Sequence, residues 1–534
     1  MSKSNNTYRY LSLLILASMY TNGILAQNTA QEPPRLVVNI TIDQFRSDYM
    51  ETFCTLFKDG GFNKLLNGGR VYEEAVNDFV PADRASANAT ISTGSLPYYN
   101  GIVASSWLDR KPTRPVFCTE DKSIKEAKER DAASAAKLLT STIGDELKIF
   151  TNGQSKVLSI APWRDAAILS AGHSADCVLW IDDNSGAWTS TNYYPAVAQG
   201  WAAQVTAYNS LEKRLKTEKW TPYAKEAETM SFFMGGGMEK SFSHAFTGQT
   251  RFVDYKKSAL VNIDMTEMAL QTQTAYRLGA DDVTDLLCVQ YYAGKYSDAS
   301  LKDSRMELQD TYMRLDYEVK RLVETLESRV GKGRVLFVVT STGCEDQDNG
   351  GYAEYGIPSG TFYINRTANL LNMYLVSLYG KGQYGKGQYV DAAYHNQIYL
   401  NRKLIELQHL DMFEVLSNAR SFLLMSDGIR DVHTVDGILS PSNEDIAKIR
   451  NTYNPHLSGD IVCEVAPGWQ VLNENTGEKY NVSATPVIFP IIFYGTGVKP
   501  GRISTVVSTD RIAPTISKAI RIRAPNGCRS LPLF

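Results

Sequence analysis

Strand-like segments alternate with helix-like segments through most of this chain, and that alternation constrains its fold more than any other feature. The first strand-like segment, residues 36–42, is an unbroken run of apolar and β-branched residues that ends at Asp43. Such a run is typical of a strand that is buried on both faces of a parallel sheet. Runs of the same kind occupy residues 156–161, 286–291, 334–340 and 487–494.

Helical periodicity fills the intervals between these strands. Apolar residues recur at steps of three and four between Leu308 and Leu326, which predicts an amphipathic helix. Aromatic residues recur with similar spacing from Phe45 to Phe57, and residues 131–150 are rich in Ala and Leu, so both segments are predicted to be helical. Strands alternating with helices predict an α/β fold with a mostly parallel sheet that is covered on both faces.

The carboxyl ends of such strands are where ligands bind in open α/β sheets. Asp43, Arg164, Lys295 and Thr342 each follow a predicted strand. Arg84 begins a predicted helix within residues 81–95. We therefore expect these five residues to converge on one cleft.

The start of that helix combines two signals that disagree. Asp83 is a preferred N-cap residue, and the exposed N–H groups and positive dipole end of a helix start suit a nucleophile or an anion. Arg84, however, places a cation at the first helical position, where the dipole disfavours one. The function of Arg84 is therefore the main question that the sequence raises.

The N-terminus predicts export. Lys3 and Arg9 precede a short apolar run at residues 11–19, and Ala26 ends a plausible cleavage site, so residues 1–26 are interpreted as a secretory signal peptide, with a retained anchor as the alternative. No later apolar run approaches the roughly 20 residues of a membrane span. A net charge of −3 gives no reason to expect a nucleic acid partner. We expect a soluble protein of the periplasm or the exterior.

Three segments interrupt the alternation of strands and helices. Residues 107–130, 174–254 and 360–458 are rich in Trp, Tyr, Asn and Gly and are predicted to be insertions or a cap. The third contains a tandem repeat, GKGQY, at residues 380–389, which is interpreted as a duplicated loop. Seven cysteines are present in the chain, but none forms a CxxC pair, so no disulfide is assigned.

Eight segments resemble one known family. They are VVNITIDQFR (37–46), TGSLP (93–97), STIGDEL (141–147), AILSAGH (167–173), DTYMRLD (310–316), NQIYLNRK (396–403), EVAPGW (464–469) and PIIFYG (490–495). The family is the phosphate-irrepressible alkaline phosphatase group of the type I phosphodiesterase/nucleotide pyrophosphatase family. The resemblance covers nearly the whole chain after the signal peptide, and it implies one domain at residues 35–525 with an alkaline-phosphatase-like three-layer sandwich.

The resemblance also implies a phosphomonoesterase or phosphodiesterase with two zinc ions and a threonine nucleophile. Matched position by position, Asp43 keeps the first metal-binding aspartate, and Arg84 replaces the nucleophilic threonine. Six of the seven metal-binding positions are replaced, and besides Arg84 the replacements are Lys295, Ala299, Thr342, Gly343 and Ile488. The asparagine that contacts the phosphate in this family falls near Ser105, and Pro162 replaces the lysine of a Lys-x-Arg pair, whose arginine is kept as Arg164.

The replacements suggest a site rebuilt without metal. Arg84 and Lys295 are cations that could occupy the space of the zinc ions and pair with Asp43. Together with Arg164 they could form an anion-binding pocket, or they could form an internal salt-bridge cluster that only holds the fold. The sequence leaves both possibilities open.

Other candidate sites are weaker. The six histidines include no close pair, and His173 is interpreted as structural. Glu345, Asp346 and Asp348 could bind Mg²⁺ or Ca²⁺, although a solvated acidic loop is the simpler interpretation. Ser86 or Thr90 could serve as a substitute nucleophile, but neither has an obvious base beside it.

We therefore expect a catalytically degenerate pseudo-phosphatase without a cofactor that binds an anionic small molecule or an envelope protein. The first alternative is an active phosphoric-ester hydrolase with a rearranged site, which would use zinc. The second alternative is a non-catalytic component of a cell-envelope assembly.

Overall fold

The strand Leu36–Asp43 lies in the middle of a ten-stranded sheet, and all eight of its residues are buried. The computed structural model describes residues 32–111, 113–125, 132–223, 242–296, 304–344, 356–382, 387–480 and 487–534. The predicted signal peptide, Ala299, the acidic loop at 345–348 and part of the tandem repeat lie outside these residues. Their interpretation stays a prediction.

The strands of the described residues carry labels in chain order. They are β1 Leu36–Asp43, β2 Arg70–Val76, β3 Ser106–Arg110, β4 Thr113–Phe117, β5 Val157–Ala161, β6 Cys177–Ile181, β7 Trp188–Thr189, β8 Lys219–Trp220, β9 His244–Ala245, β10 Asp285–Tyr292, β11 Val335–Ser341, β12 Gly360–Tyr363, β13 Val390–Tyr394, β14 Gln397–Leu400, β15 Ile429–Thr434, β16 Ile461–Val465, β17 Trp469–Leu472, β18 Lys479–Tyr480, β19 Phe489–Gly495, β20 Gly501–Ile503 and β21 Val507–Ser508.

The α-helices are labelled in the same way. They are α1 Ser47–Phe53, α2 Phe62–Gly68, α3 Arg84–Thr93, α4 Pro97–Asn100, α5 Ile143–Phe150, α6 Arg164–Ala171, α7 Ala196–Tyr208, α8 Leu211–Arg214, α9 Arg251–Lys256, α10 Val261–Tyr276, α11 Arg305–Val330, α12 Ile364–Tyr379, α13 Arg402–Leu407, α14 Met412–Leu423, α15 Val435–Leu439, α16 Glu444–Thr452 and α17 Ile512–Ala519.

The central sheet has the order β20-β2-β19-β11-β1-β10-β5-β6-β7, with β21 beside β2. The five strands from β11 to β6 run parallel, whereas β19 and β7 join antiparallel to their neighbours β11 and β6. The predicted α/β fold with a mostly parallel sheet is confirmed. Parallel pairing places the carboxyl ends of β11, β1, β10 and β5 at one edge, which positions the candidate site.

Helices cover both faces of this sheet. Alternate residues of β1 point to opposite faces, so Val38 and Ile40 belong to one apolar cluster with α10 and α11, while Val37 belongs to a second with α5, α6 and α17. The helix α11 keeps its apolar stripe against the sheet, with Leu315, Val319 and others fully buried. This arrangement is the expected three-layer sandwich.

Two helix predictions need correction. Residues 132–142 are not helical, because the helix α5 begins only after Thr142, whose hydroxyl accepts the N–H of Asp145 in a capping box. The aromatic spacing predicted a helix from Phe45 to Phe57, but α1 covers only Ser47–Phe53 and a short 3₁₀ turn follows. Outside these helices, Ala133, Leu138 and Phe57 are still buried, although Leu139 is exposed.

A separate subdomain, which we call the cap, comprises the described residues between 356 and 480. Its four-stranded sheet, β13-β14-β16-β15, and its three-stranded sheet, β12-β17-β18, enclose a hydrophobic core of their own. The cap extends past the predicted boundary at residue 458, because β16, β17 and β18 complete these sheets. The predicted insertion at 174–254 starts too early, because Cys177–Ile181 is a strand of the central sheet. In the described part of the chain, no helix is long and apolar enough to cross a membrane.

Candidate functional site at the carboxyl edge of the sheet

The helix start at Asp83 is built as the sequence predicted. The Asp83 carboxylate accepts the N–H of Ser86 at 2.8 Å, and the Ser86 hydroxyl accepts the N–H of Asp83 at 3.0 Å. This reciprocal capping box satisfies two backbone donors of α3 and fixes the direction of its first turn. Arg84 is therefore held rigidly at the first helical position.

The Arg84 side chain binds two carboxylates. Its Nε and Nη2 atoms donate to the two oxygens of Asp165 at 3.1 and 3.0 Å, and its Nη1 atom lies 3.6 Å from Oδ2 of Asp43. The guanidinium carbon also lies 4.6 Å from the centre of the Trp163 ring. We call Asp43, Arg84 and Asp165 the ion triad. Its two carboxylates are 3% and 13% exposed, so the guanidinium supplies a counter-charge inside the protein.

Thr342 completes the environment of Asp43. The Thr342 hydroxyl donates to Oδ1 of Asp43 at 2.8 Å and accepts the N–H of Gln44 at 3.2 Å. Asp43 therefore has a hydroxyl donor on one oxygen and the guanidinium on the other. Both oxygens of the one retained metal-ligand position are engaged by side chains.

The electrostatics favour the charged forms of Arg84 and Asp165. Burial alone would raise the pKa of Asp165, but the charge of Arg84 and its hydrogen bonds hold that pKa below its ordinary value. Burial opposes the charge of Arg84, yet the nearby carboxylates of Asp165 and Asp43 raise its pKa. At neutral pH Arg84 and Asp165 therefore face each other as a charged pair, and the guanidinium also lies beside Asp43.

A cavity of about 360 Å³ opens beside the triad. Arg84, Arg164 and Lys256 line it as cations, and Asp165, Asp182 and Asp183 line it as carboxylates. Ser105, at the position of the phosphate-contacting asparagine, also lies on its wall, together with Trp163, Trp180 and Phe117. The three cations and three carboxylates on this wall balance in formal charge. The cavity therefore suits a ligand that carries an anionic group together with hydrogen-bond donors.

Sequence reasoning missed Lys256 and the role of Asp165. The Lys256 ammonium is buried, forms an ion pair with Asp183, donates to the carbonyl of Ile181 at 3.1 Å and lies 3.9 Å from the centre of the Trp163 ring. Burial lowers the pKa of Lys256 to about 8. Lys256 lies at the end of α9, two residues past the predicted insertion at 174–254, and no local pattern indicates that this part of the chain returns to the site. Asp165 follows Arg164 directly and could have been considered as a partner for Arg84.

The remaining predicted residues lie at the expected strand ends. Arg164 begins α6 directly after β5, and its guanidinium carbon lies 5.9 Å from the centre of the Phe117 ring at the cavity. Lys295 lies in the loop that follows β10. In this loop the Ala293 N–H donates to the carbonyl of Asp43, and the Tyr292 hydroxyl donates to the Lys295 carbonyl at 2.7 Å. Arg164 therefore lines the cavity together with Arg84. The backbone of Lys295 lies near the carboxyl end of β1.

The residues at this edge do not fit a pair of zinc ions. A side chain at Gly343 would begin 2.4 Å from a ring carbon of Phe489 and 2.7 Å from the Asn77 amide nitrogen, so a histidine could not enter without displacing both. Ile488 is exposed and apolar. Within the residues that the structure describes, no three His, Cys, Asp or Glu side chains are grouped to hold a metal ion. Zinc needs three or four such donors.

His173 has structural contacts. One ring nitrogen lies 2.9 Å from Oδ2 of Asp145, and the other lies 3.0 Å from the carbonyl of Leu138. Asp145 is the capping residue of α5, so His173 links the loop after α6 to the start of α5. The interpretation of His173 as a structural residue agrees with these contacts. All seven cysteines lie in the described residues and are free thiols, and Cys288 is among the buried ones.

Comparison with known proteins identifies relatives of the whole chain. The family described as type I phosphodiesterase / nucleotide pyrophosphatase matches residues 37–486. Alkaline phosphatase PhoV of Synechococcus elongatus is 29% identical over 518 residues, covering 92% of this chain and 91% of PhoV. Alkaline phosphatase PafA of Elizabethkingia meningoseptica is 26% identical over 545 residues, covering 97% of this chain and 98% of PafA.

The fold is similar to a solved structure of the same kind. The crystal structure of wild-type alkaline phosphatase PafA superposes with a TM-score of 0.81 at 24% identity, over 95% of this chain and 99% of that chain. The fold of this protein is therefore that of an alkaline phosphatase.

Proposed function

The chain belongs to the type I phosphodiesterase / nucleotide pyrophosphatase family, and from that membership together with the ion triad we propose that it is a pseudo-phosphatase. It keeps the scaffold of an alkaline phosphatase, does not hydrolyse phosphate esters, and binds a small ligand in the cavity beside Arg84. Fold alone does not determine activity, so the proposal rests on the site.

One observation carries the proposal. The guanidinium of Arg84 stands where the family places its nucleophile, and it is bound on two sides by Asp165 and Asp43. A guanidinium cannot attack phosphorus, since it has no lone pair available and stays protonated. It also places a fixed positive charge beside Asp43, where a metal ion would otherwise bind.

The ligand that suits the cavity carries one anionic group and several hydroxyl or amine donors, such as a sugar phosphate or a nucleotide. Arg164 and Arg84 offer guanidinium donors to the anionic group. Asp182, Asp183 and the Asn184 side chain offer acceptors, and Trp163 offers an aromatic wall.

Activity and metal content test the loss of catalysis. The purified full chain is expected to turn over neither p-nitrophenyl phosphate nor bis-p-nitrophenyl phosphate above the buffer rate, with or without added Zn²⁺. It is also expected to contain no stoichiometric zinc after purification. Turnover that is abolished by a chelator, together with bound zinc, would contradict the proposal and favour the second candidate.

That second candidate is an active phosphoric-ester hydrolase with a rearranged site. The names of the relatives favour it, because PhoV and PafA are both called alkaline phosphatases and cover this chain almost completely. Under this alternative zinc would be required, and residues outside the described ranges would have to contribute ligands.

Ligand binding is tested by thermal shift against inorganic phosphate, sulfate, sugar phosphates and nucleotides. A ligand that binds only the folded state raises Tm by an amount that grows with the logarithm of the ratio of ligand concentration to Kd. We expect a sugar phosphate or nucleotide to raise Tm by several degrees, and Arg164→Ala to abolish that shift, whereas the surface control Arg502→Ala keeps it. No shift with any of these compounds would refute the binding proposal while leaving the loss of catalysis intact.

Export is a further part of the proposal. The charged start, the short apolar run and Ala26 support cleavage near that residue and a periplasmic or secreted mature protein. Mass spectrometry of the mature N-terminus from fractionated cells measures this directly, and an uncleaved protein in the cytoplasm would refute it.

A further inference from the structure

Lys256 is a buried lysine that connects three parts of the cavity wall. It ends α9, forms an ion pair with Asp183 and donates to the carbonyl of Ile181, the last residue of β6, at 3.1 Å. Its ammonium also lies 3.9 Å from the centre of the ring of Trp163, the residue that precedes α6. The side chain is 1% exposed, so the ammonium acts on a bound molecule through its charge and its neighbours more than by contact.

The Trp163 ring links Lys256 to the first residues of α6. The ring also lies 4.6 Å from the guanidinium carbon of Arg84, so two cations contact one aromatic ring. Its indole N–H is buried and has no hydrogen-bond partner among the described residues, so packing and the two cations hold the ring. Arg164 and Asp165 follow Trp163 directly in the chain and both line the cavity. A movement of the ring is therefore transmitted to both.

The charge of Lys256 also decides the net charge of the cavity wall. With Lys256 protonated, the three cations and three carboxylates of the wall balance. Without that proton the wall has one surplus negative charge, which disfavours an anionic group in a setting shielded from water. The cavity therefore suits an anion better while Lys256 is charged.

Lys256 loses its proton at a lower pH than an ordinary lysine. Burial is the main cause that lowers its pKa to about 8; the charge of Arg84 acts in the same direction, and the carboxylates of Asp183 and Asp165 oppose it. In an unfolded chain the pKa of lysine is about 10.4, so between about pH 8 and pH 10 the unfolded state binds more protons and the free energy of unfolding rises with pH. The buried charge of Lys256 therefore lowers the stability of the fold near neutral pH. Groups whose pKa is shifted in this way concentrate at functional sites.

Four other titratable groups on the cavity wall keep their charge state between pH 7 and pH 9. Burial works against the charges of Arg84, Asp165 and Asp182, but the ion pair raises the pKa of Arg84 and lowers that of Asp165, and hydrogen bonds lower that of Asp182. Burial raises the pKa of the Cys118 thiol well above its ordinary value, so this group stays neutral. Among these groups and Lys256, the change of charge in this range belongs to Lys256.

We propose that Lys256 is a positioning residue for the ligand of this cavity. Its protonated ammonium holds the Trp163 ring and the balanced charge of the wall in the arrangement that accepts an anionic group, and loss of the proton weakens binding of that group. The inference rests on the proposed function, because it describes how binding in the same cavity is regulated by pH.

Isothermal titration calorimetry of the full chain with glucose 6-sulfate tests this, because the sulfate ester keeps one negative charge from pH 7 to pH 9. The charged fraction of Lys256 falls from about nine-tenths to about one-tenth over this range, so we expect Kd for the wild type to rise about tenfold. Lys256→Arg, which stays charged, is expected to bind with a similar Kd at both pH values. Lys256→Met is expected to bind about tenfold more weakly than the wild type at pH 7 and to show little change with pH.

The matched control is Lys64→Met, which removes an ion-paired lysine outside the cavity and is expected to keep the wild-type pH profile. Far-UV circular dichroism checks that each variant is folded, and the wild-type profile is informative without any variant. A wild-type Kd that is the same at pH 7 and pH 9 would overturn the role of Lys256 while leaving ligand binding intact. So would a Lys256→Arg variant that still loses affinity at pH 9, or a folded Lys256→Met variant with the wild-type Kd at pH 7. A wild type that does not bind glucose 6-sulfate at either pH would overturn both this inference and the proposed binding of anionic sugars.

Discussion

Two buried ion clusters, one in the core and one in the cap, have opposite charge arrangements. In the core, Arg84 lies between the carboxylates of Asp165 and Asp43. At the base of the cap, Asp460 lies between two guanidinium groups, and it also accepts the N–H of Leu400 at 2.7 Å. The first cluster has a surplus acid and the second a surplus base.

The two clusters differ in how far the side chains that carry the surplus charge are exposed to water. The two arginines around Asp460, Arg110 and Arg402, are 22% and 42% exposed, so their long side chains reach water. The carboxylates around Arg84 are less exposed, at 3% for Asp43 and 13% for Asp165. The cap cluster also joins the β3–β4 hairpin to the cap, which is a purely architectural task, whereas the core cluster lines a cavity. We therefore expect the core cluster to depend more strongly on its central residue.

The largest effect is expected for Arg84→Ala. Removing the guanidinium leaves Asp43 and Asp165 buried without a counter-charge, which costs about 3–5 kcal/mol of unfolding free energy near pH 7. Urea denaturation measures this, with Arg84→Lys as the control that keeps a positive charge and a part of the stability. A loss below about 1 kcal/mol would show that the triad does not hold the fold.

The pH dependence of this loss provides a second measurement. The pKa of Asp165 is lowered in the folded wild type, so its contribution is present above the unfolded value of about 4 and disappears as the pH falls through the folded pKa. The difference in stability between the wild type and Arg84→Ala should therefore narrow below about pH 4. A difference that stays constant down to pH 3 would contradict the charge-based explanation.

The next effect is expected for Asp460→Asn. This change removes the negative charge and leaves two guanidinium groups facing each other, but both can move toward water, so we expect a loss of about 2–3 kcal/mol. Arg402→Ala serves as the control and is expected to cost less than about 1 kcal/mol, because its side chain is largely exposed. If Asp460→Asn lowered the unfolding free energy more than Arg84→Ala does, the expectation that the core cluster depends more strongly on its central residue would be wrong.

A smaller effect on stability is expected for the Asp145–His173 pair, because the protonated ring of His173 can lose its proton. The hydrogen bond to Asp145 is the main cause that raises the pKa of His173. A raised pKa means that the stabilisation is fully present below about pH 6.5 and is lost as the pH rises through the folded pKa. Because the ring is 31% exposed, we expect the wild type to lose about 1 kcal/mol relative to His173→Gln between pH 6 and pH 9. Parallel curves for the two proteins would rule out a charged His173.

The smallest effect is expected for a surface pair. Arg502 and Glu73 are 2.8 Å apart but are 57% and 38% exposed. Arg502→Ala should change the unfolding free energy by less than about 0.5 kcal/mol, and this small effect should fall further at high salt. A loss of unfolding free energy comparable to that of Arg84→Ala would mean that burial does not explain why the ion triad is expected to stabilise the fold more than this surface pair.

Much of the fold could be predicted because its signals are local. The strands that contain Asp43 and Thr340, the amphipathic helix around Leu315 and the capping box at Asp83 each depend on residues within a few positions of one another. Residues 132–142 were predicted as a helix for the same reason, because an Ala- and Leu-rich composition is a weak preference that tertiary packing overrides.

The candidate site was only partly predictable. The sequence indicated that Arg84 lies at the end of the sheet with Asp43, and the two side chains do meet. It did not indicate that Lys256 would reach the same cavity from the end of α9, or that Thr342 would donate a hydrogen bond to Asp43. Both contacts join residues that are far apart in the chain, and no spacing within the sequence encodes them.

The sequence by itself determined the alternation of strands and helices and the start of α3 at Arg84. These are properties of residue identity and of short-range periodicity. The tertiary structure alone decided that Asp165, 81 positions from Arg84, is its principal partner, and that Arg110 and Arg402 meet at Asp460. The physical reason is that ion pairs and apolar contacts depend on which strand ends and helices become neighbours, and that order is fixed only when the sheet and the cap assemble.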